Sequence, residues 1–376
     1  MIKIILLDVD GVLVHPGGYR AALRATVDHF IEPHFNIDEE TLAELERRGI
    51  SSEWDMAPLL LASYWNDILS RQPLQNLPTD VMPASIEINR RRTVNAPTHL
   101  FVPEFALVAG QFPSEAAFQV GCFSSIPYDL RKNLLTETRN VRKSHTMRVF
   151  QHYTLGGKKF KETYNLSMEF ETESFLLTRD RPNIDDAIRA KLRRSNHRLA
   201  AFTSRPSGPP RDIKTSQIGY APEAELALEL VGLSDIPLIG YGRLEYLALQ
   251  RGLDTAALVK PSPIQALAAI AAAFTGEEWP AIRAAADWQT TGRLNSVFSK
   301  LPGSFELIVM EDTMGGIFST LKAGEILQQA GMDITIQALG LTLGSSSKAA
   351  AFEQAGIPFF ESWELLLDHI QIRGFD

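Results

Sequence analysis

The chain opens on an apolar run, residues 2–7, in which every position except Lys3 is isoleucine or leucine. A short run with neither strand nor helix alternation reads as a strand buried on both faces. From residue 20 to 69 the apolar spacing becomes helical, with segments at 19–30 and 41–48 and Asp38 placed to cap the second. Between about 98 and 177 the texture turns strand-like. Residues 149–155 and 159–166 alternate and carry aromatics, Gly156-Gly157 between them reads as a hairpin turn, and 169–177 continues in the same style. Proline-bearing stretches at 73–83 and 95–103 read as loops. After residue 182 strands at 199–203, 256–259, 305–310, 335–341 and 358–359 alternate with helices at 184–194, 263–274, 316–330 and 347–354.

That alternation predicts a mostly parallel sheet covered by helices on both faces. The first strand matches this later part in character, not the middle. The economical reading is one α/β domain built from residues 1–14 and 182–376, with residues 15–181 inserted into it as an α+β unit, helical first and strand-rich second. The length of 376 residues agrees, since ~150 residues per domain allows two or three domains or one with a large insertion.

At 45% hydrophobic and 22% charged, the chain can bury an ordinary globular core. With 37 Lys and Arg against 45 Asp and Glu, the formal charge of -8 argues against a dedicated nucleic-acid binder. A single cysteine, Cys122, excludes an internal disulfide framework and a multi-cysteine metal site, and reads as a packed thiol. Asp8 and Asp10 interrupt the N-terminal apolar stretch as no signal peptide would, and nothing reaches the ~20 apolar residues of a membrane span. A cytoplasmic protein with no membrane partner is expected.

Candidate chemistry gathers at strand ends, where open α/β sheets bind ligands. Asp8-Val9-Asp10-Gly11-Val12-Leu13 follows the first strand, with Gly11 easing the turn. Two close carboxylates repel unless a cation or a shared proton relieves them, which suggests a divalent ion such as Mg²⁺; a polar strand cap is the alternative. The strand at 199–203 ends in Thr203-Ser204, hydroxyls suited to a phosphate oxygen or to a turn. Lys260, in Val259-Lys260-Pro261-Ser262-Pro263, precedes a proline-set helix start where an ammonium would neutralise a phosphoryl group, unless it is a surface lysine. The strand at 305–310 runs into Glu311-Asp312-Thr313-Met314-Gly315-Gly316, two acids that need a metal or a helix N-terminus to offset their burial.

In this order the four segments resemble the motifs of the haloacid dehalogenase superfamily of phosphohydrolases, across nearly the whole α/β half. Asp8-x-Asp10-Gly11-Val12-Leu13 looks like the first motif, Phe202-Thr203 the second, Lys260-Pro261-x-Pro263 the third and Glu311-Asp312 the fourth. Leu339-Gly340-Leu341 and Ala355-Gly356-Ile357 look like its closing strands, and residues 15–181 lie where the family places one type of cap domain. The resemblance implies a Rossmann-like core and a small phosphorylated metabolite as substrate. Asp8 would attack phosphorus, and Asp10 would protonate the leaving oxygen and then activate water. Thr203 and Lys260 would hold the phosphoryl oxygens. Gly11 and Ser204 are further candidates for contact with substrate, and Arg205, two residues after Thr203, either reaches substrate beside the crevice or forms a salt bridge within the loop. Mg²⁺ would sit among Asp8, Glu311, Asp312 and the main-chain carbonyl of Asp10.

The spacings from Thr203 to Lys260 and on to Asp312 are longer than the family's usual ones. The extra segment at 277–301, with Trp279 and Trp288, reads as a helical insertion near the site or as a packing element. His15 either faces substrate or starts a hinge into the inserted unit, which Gly17-Gly18 supports. Basic groups within it, at Arg90-Arg91-Arg92, Arg131-Lys132, Arg142-Lys143 with His145, and Lys158-Lys159, either face a second anionic group of the substrate or form a solvated surface. A phosphomutase would use the same constellation, a phospho-ligand-binding module would keep the fold without turnover, and true dehalogenation is disfavoured because it needs no second carboxylate.

Overall fold

A computed structural model of the chain describes residues 1–108, 110–213 and 220–372. The chain divides into two compact units, Met1–Pro16 with Asp180–Asp376, and Gly17–Arg179.

The first unit contains eight strands among its described residues: β1 (Lys3–Leu7), β2 (Val14–His15), β3 (Arg181–Pro182), β4 (His197–Phe202), β5 (Leu238–Ile239), β6 (Ser304–Glu311), β7 (Asp333–Leu341) and β8 (Phe359–Phe360). Six form one sheet in the order β5-β4-β1-β6-β7-β8, with every neighbouring pair parallel. β2 and β3 form a separate antiparallel ribbon, Val14 opposite Pro182 and His15 opposite Arg181.

The unpatterned first strand follows from this order, because β1 lies in the middle of a sheet covered on both sides. Ile4 and Leu6 join Ala200, Phe202, Leu307 and Val309 in a core under the helices Pro263–Thr275, Glu278–Thr291 and Met314–Gln329. Ile5 and Leu7 point the other way, with Leu199, Ala201, Ile308 and Met310, toward the helices Asp186–Leu192, Glu223–Leu230 and Trp363–Ile372. The alanines of Pro263–Thr275 are buried around nearly the whole helix, which lets it pack between the sheet and Glu278–Thr291.

The segment at 277–301 is such a packing element. Glu278 is buried and accepts from Arg243 Nε (2.8 Å) and from the backbone N–H groups of Leu238 and Arg211 (2.9 Å each), while Arg243 also donates to Glu225 (2.7 Å). This network anchors the edge strand β5, which is too short to leave a periodic signal in the sequence. The strand expected at 256–259 does not form. A 3₁₀ turn, Thr255–Ala257, occupies that stretch, started by Asp254 accepting from the Ala256 N–H.

In the second unit the described residues hold helices and no strand, from Gly18–Phe30, Glu39–Arg47 and Glu53–Arg71 to His145–Leu155, Gly157–Tyr164 and Phe175–Arg179. Asp38 caps the second, accepting from the Thr41 N–H at 2.8 Å. The strand-rich second half expected for this unit is therefore a misreading. Met147, Phe150, Gln151, Thr154 and Leu155, all buried, recur at the i, i+3, i+4, i+7, i+8 spacing of a helix. Ser144 caps that helix, and Gly156 (φ 82°, ψ 148°) separates it from the next instead of turning a hairpin. Burial pushes the Cys122 thiol pKa up, as suits a packed group. No helix among the described residues is long and apolar enough to cross a membrane.

Candidate active site at the carboxyl edge of the sheet

The register of the three central strands brings the predicted motifs together. Leu7 pairs with Ala201 on one side and Met310 on the other, so the next residues, Asp8, Phe202-Thr203 and Glu311, emerge level at one edge. Asp8 is almost fully buried, with its backbone N–H donating to the Met310 carbonyl (3.1 Å). The loop after it folds back through Leu13 and Val14 N–H bonds to the Val9 carbonyl, and Trp363 Nε1 donates to the Val12 carbonyl (3.0 Å). Gly11 is required twice over. Its φ is +75°, and a Cβ there would stand 2.0 Å from Asp312 Oδ2.

Glu311 ends β6 fully buried. Its Oε2 accepts from the Asp312 N–H (3.2 Å), the Thr313 N–H (3.3 Å) and the Thr313 hydroxyl (3.1 Å), at the entrance of the helix Met314–Gln329. Gly316 makes room for this carboxylate, since a Cβ there would fall 1.6 Å from Oε1. The Lys260 ammonium bridges the two strand ends, at 2.7 Å from Asp8 Oδ1 and 2.5 Å from Glu311 Oε1, over the face of Phe202. Gln265, on the helix that Pro263 begins, accepts from the Lys260 N–H (2.9 Å) and donates to the Thr203 and Ile239 carbonyls (3.0 and 2.8 Å). One amide thus ties Lys260 to the ends of β4 and β5.

Thr203 is buried, and its hydroxyl oxygen accepts from the Arg205 N–H at 3.1 Å. Ser204 is exposed. Of the two expectations for Arg205, substrate contact or a salt bridge, the structure has the salt bridge, made from a fully buried side chain to Asp10 and Asp180 and not within its own loop. Arg205 Nε and Nη2 grip Asp10 at 3.1 and 2.5 Å, and Nη2 also reaches Asp180 Oδ2 at 3.0 Å. A bidentate fork fixes both the position and the plane of the Asp10 carboxylate. Asp10 keeps 35% of its side chain exposed, so Arg205 fixes the carboxylate without sealing it from solvent. His15 is exposed on the ribbon.

Ligand oxygens of Asp8, Glu311 and Asp312 all lie within 4.8 Å of one another. Burial, then the charges of Glu311, Asp312 and Asp10, push the Asp8 pKa well above the usual carboxylate range, against the pull of Lys260. Glu311 is likewise raised by burial, with Lys260 opposing. Burial alone would lower the pKa of Lys260, but Asp8 and Glu311 outweigh it and raise it above the usual lysine range. The lysine is therefore charged at neutral pH.

This donor set fits a hard divalent cation. All its donors are oxygens, and the ammonium groups of Lys260 and Lys348 do not neutralise three clustered acids. Both Glu311 oxygens are already engaged, so the cluster oxygens with no hydrogen bond from the described residues are Asp8 Oδ2 and Asp312 Oδ1. Asp8 and Asp312 are thus the better-placed ligands, with Glu311 orienting Lys260.

Three functional positions were missed from the sequence: Asp180, Gln265 and Lys348, whose ammonium bonds Asp312 Oδ2 at 2.6 Å. Lys348 lies on the helix Ser346–Gln354 that follows β7, the neighbour of β6, so it is the tertiary structure that brings it to Asp312. In the second unit, most of the basic clusters bond locally. Arg92 donates to the Tyr64 hydroxyl (3.0 Å), Arg142 to the Tyr164 carbonyl (3.1 Å), Lys143 pairs with Glu137 (2.6 Å) and His145 with Asp80 (2.8 Å).

The fold and site define an α/β protein with a carboxylate–lysine centre at the carboxyl edge of a parallel sheet. In comparisons with known proteins, no family model and no curated protein matches the chain.

Proposed function

We propose that the protein is a Mg²⁺-dependent phosphohydrolase of the haloacid dehalogenase type, acting on a small phosphorylated metabolite, with Gly17–Arg179 as its cap. The observation that carries this reading is Lys260 bridging Asp8 and Glu311 beside the open oxygens of Asp8 and Asp312. Phosphoryl transfer needs positioning and charge neutralisation more than any other help from a protein, and this cluster offers both.

In the first step an Asp8 oxygen attacks phosphorus, forming an aspartyl-phosphate as the bond to the leaving oxygen breaks. Asp10, held by Arg205, gives that oxygen a proton. In the second step Asp10 takes a proton from water, whose oxygen attacks the phosphoryl group and frees Asp8. Lys260 and the Thr203 hydroxyl hold the equatorial oxygens through both steps. A divalent ion at Asp8 and Asp312 would neutralise phosphoryl charge and favour ionised Asp8 against its raised pKa.

The test is release of phosphate from an aryl phosphate with and without Mg²⁺, with Asp8→Asn in parallel. Magnesium-dependent release that vanishes in Asp8→Asn supports the proposal. Release that is indifferent to Mg²⁺, or that survives in Asp8→Asn, overturns it.

A further inference from the structure

Asp312 has a partner that the two steps above do not use. After β7 the chain turns through Leu343 (φ 48°) and Gly344 (φ 84°) and enters the helix Ser346–Gln354. Lys348, in its first turn, lays its ammonium on Asp312 Oδ2 at 2.6 Å, with its own side chain 34% exposed and that of Asp312 11%. This is the same oxygen that would meet a side chain at Gly11. The remaining oxygen, Oδ1, is left open for the cluster of Asp8, Glu311 and Asp312.

Three carboxylates and two ammonium groups then surround the candidate cation position, leaving one net negative charge. A divalent ion would turn that balance to one positive charge, which suits an incoming phosphate dianion. Without Lys348 the cluster would be more negative, would bind the metal more tightly, and would be neutral once loaded.

We propose that Lys348 is a built-in counter-charge of the cation site, weakening divalent binding and strengthening the hold on an anionic substrate. The inference rests on the cation-dependent reading above and adds to it what sets metal and substrate affinity. A lysine that merely orients Asp312 would act with the opposite sign on the metal, because its loss would loosen a ligand. An ammonium on a shared carboxylate in a half-buried site changes the affinity of a divalent ion by about tenfold.

The experiment measures Mn²⁺ binding by the electron paramagnetic resonance of free Mn²⁺, and inorganic phosphate binding by calorimetry at saturating Mn²⁺. Wild type, Lys348→Met and Lys348→Arg are compared, with Lys322→Met, an exposed lysine of Met314–Gln329, as a control for net charge. Lys348→Met is expected to bind Mn²⁺ about tenfold more tightly and phosphate about tenfold more weakly. Lys348→Arg and Lys322→Met should stay close to wild type. Unchanged or weaker Mn²⁺ binding by folded Lys348→Met overturns the inference while leaving the cation site standing. No Mn²⁺ binding by any of the four proteins overturns the cation reading itself, and this inference with it.

Discussion

Replacing Gly11 by alanine separates the geometry of the site from the stability of the fold. The backbone there has φ +75°, which costs an L-residue ~1–2 kcal/mol. The added Cβ would stand 2.0 Å from Asp312 Oδ2, 2.6 Å from its Cγ and 3.1 Å from its Cβ. Ordinary contacts lie at about 3.5–4 Å, so the whole carboxylate must retreat by roughly 1.5 Å. That retreat draws Asp312 off Lys348 and opens the cluster with Asp8. Metal sites tolerate distance errors of only about 0.2 Å, and a misplacement of about 1 Å at a reacting centre costs on the order of a hundredfold in rate. Gly11→Ala is therefore expected to lose at least about a hundredfold in kcat. The strain itself should lower the midpoint of thermal unfolding by only about 2–8 °C, at roughly 2–4 °C per kcal/mol for a unit of this size. Mn²⁺ binding, phosphate release and thermal unfolding on the same preparation read all three effects. Wild-type Mn²⁺ affinity and kcat in Gly11→Ala would refute the fit between the first loop and Asp312.

The Arg205–Asp180 contact predicts a dependence on the leaving group. On the proposed mechanism Asp180→Asn should depress hydrolysis of an alkyl phosphate, whose leaving group would need the proton from Asp10, about tenfold more than that of a nitrophenyl phosphate, whose leaving group would not; equal losses on both would show that Asp180 only supports the fold. Glu278→Gln leaves buried Arg243 still paired with Glu225, and should cost about 1–3 kcal/mol by denaturant unfolding, while adding Arg243→Met recovers part of the loss; no loss in the single variant would refute the network's role. In the second unit, buried His152 presents Nδ1 to the Arg148 carbonyl (2.9 Å) and accepts the Glu169 N–H at Nε2 (3.1 Å), an arrangement only neutral imidazole can hold. Burial lowers the His152 pKa below 6.5, so the unfolded chain takes up a proton that the folded one refuses. Its contribution is full above about pH 6.5 and falls as the pH drops toward the folded pKa. The slope of unfolding free energy between pH 7.5 and 5 should flatten in His152→Gln, and an unaltered slope would contradict that reading.

The parts of this molecule that were legible in the sequence are those where local and tertiary signals agree. β1 and β6 are long apolar runs ending in acids, and their shared register is what makes Asp8 and Glu311 neighbours. Lys260 was legible through its Pro-x-Pro helix start, although the strand expected before it is a turn. The residues 145–164 misled because aromatic and β-branched side chains suggest strand, while burial of Met147, Phe150, Thr154 and Leu155 follows the helical period. β5 has two residues and depends on Glu278, 40 positions away, for one of its backbone bonds. Arg205 was expected beside the crevice or in a salt bridge within its loop, and its full burial between Asp10 and Asp180 belongs to tertiary structure that no local spacing encodes.

The most direct test of the catalytic reading is to trap the covalent intermediate. The protein is mixed with Mg²⁺ and an excess of aryl phosphate, quenched in acid within the first turnovers, digested, and its peptides weighed. A single phosphoryl group on the peptide containing Asp8, absent from Asp8→Asn and absent without Mg²⁺, is the expected result. Turnover with no phosphoryl group on Asp8, or with one on another residue, would contradict the proposed mechanism.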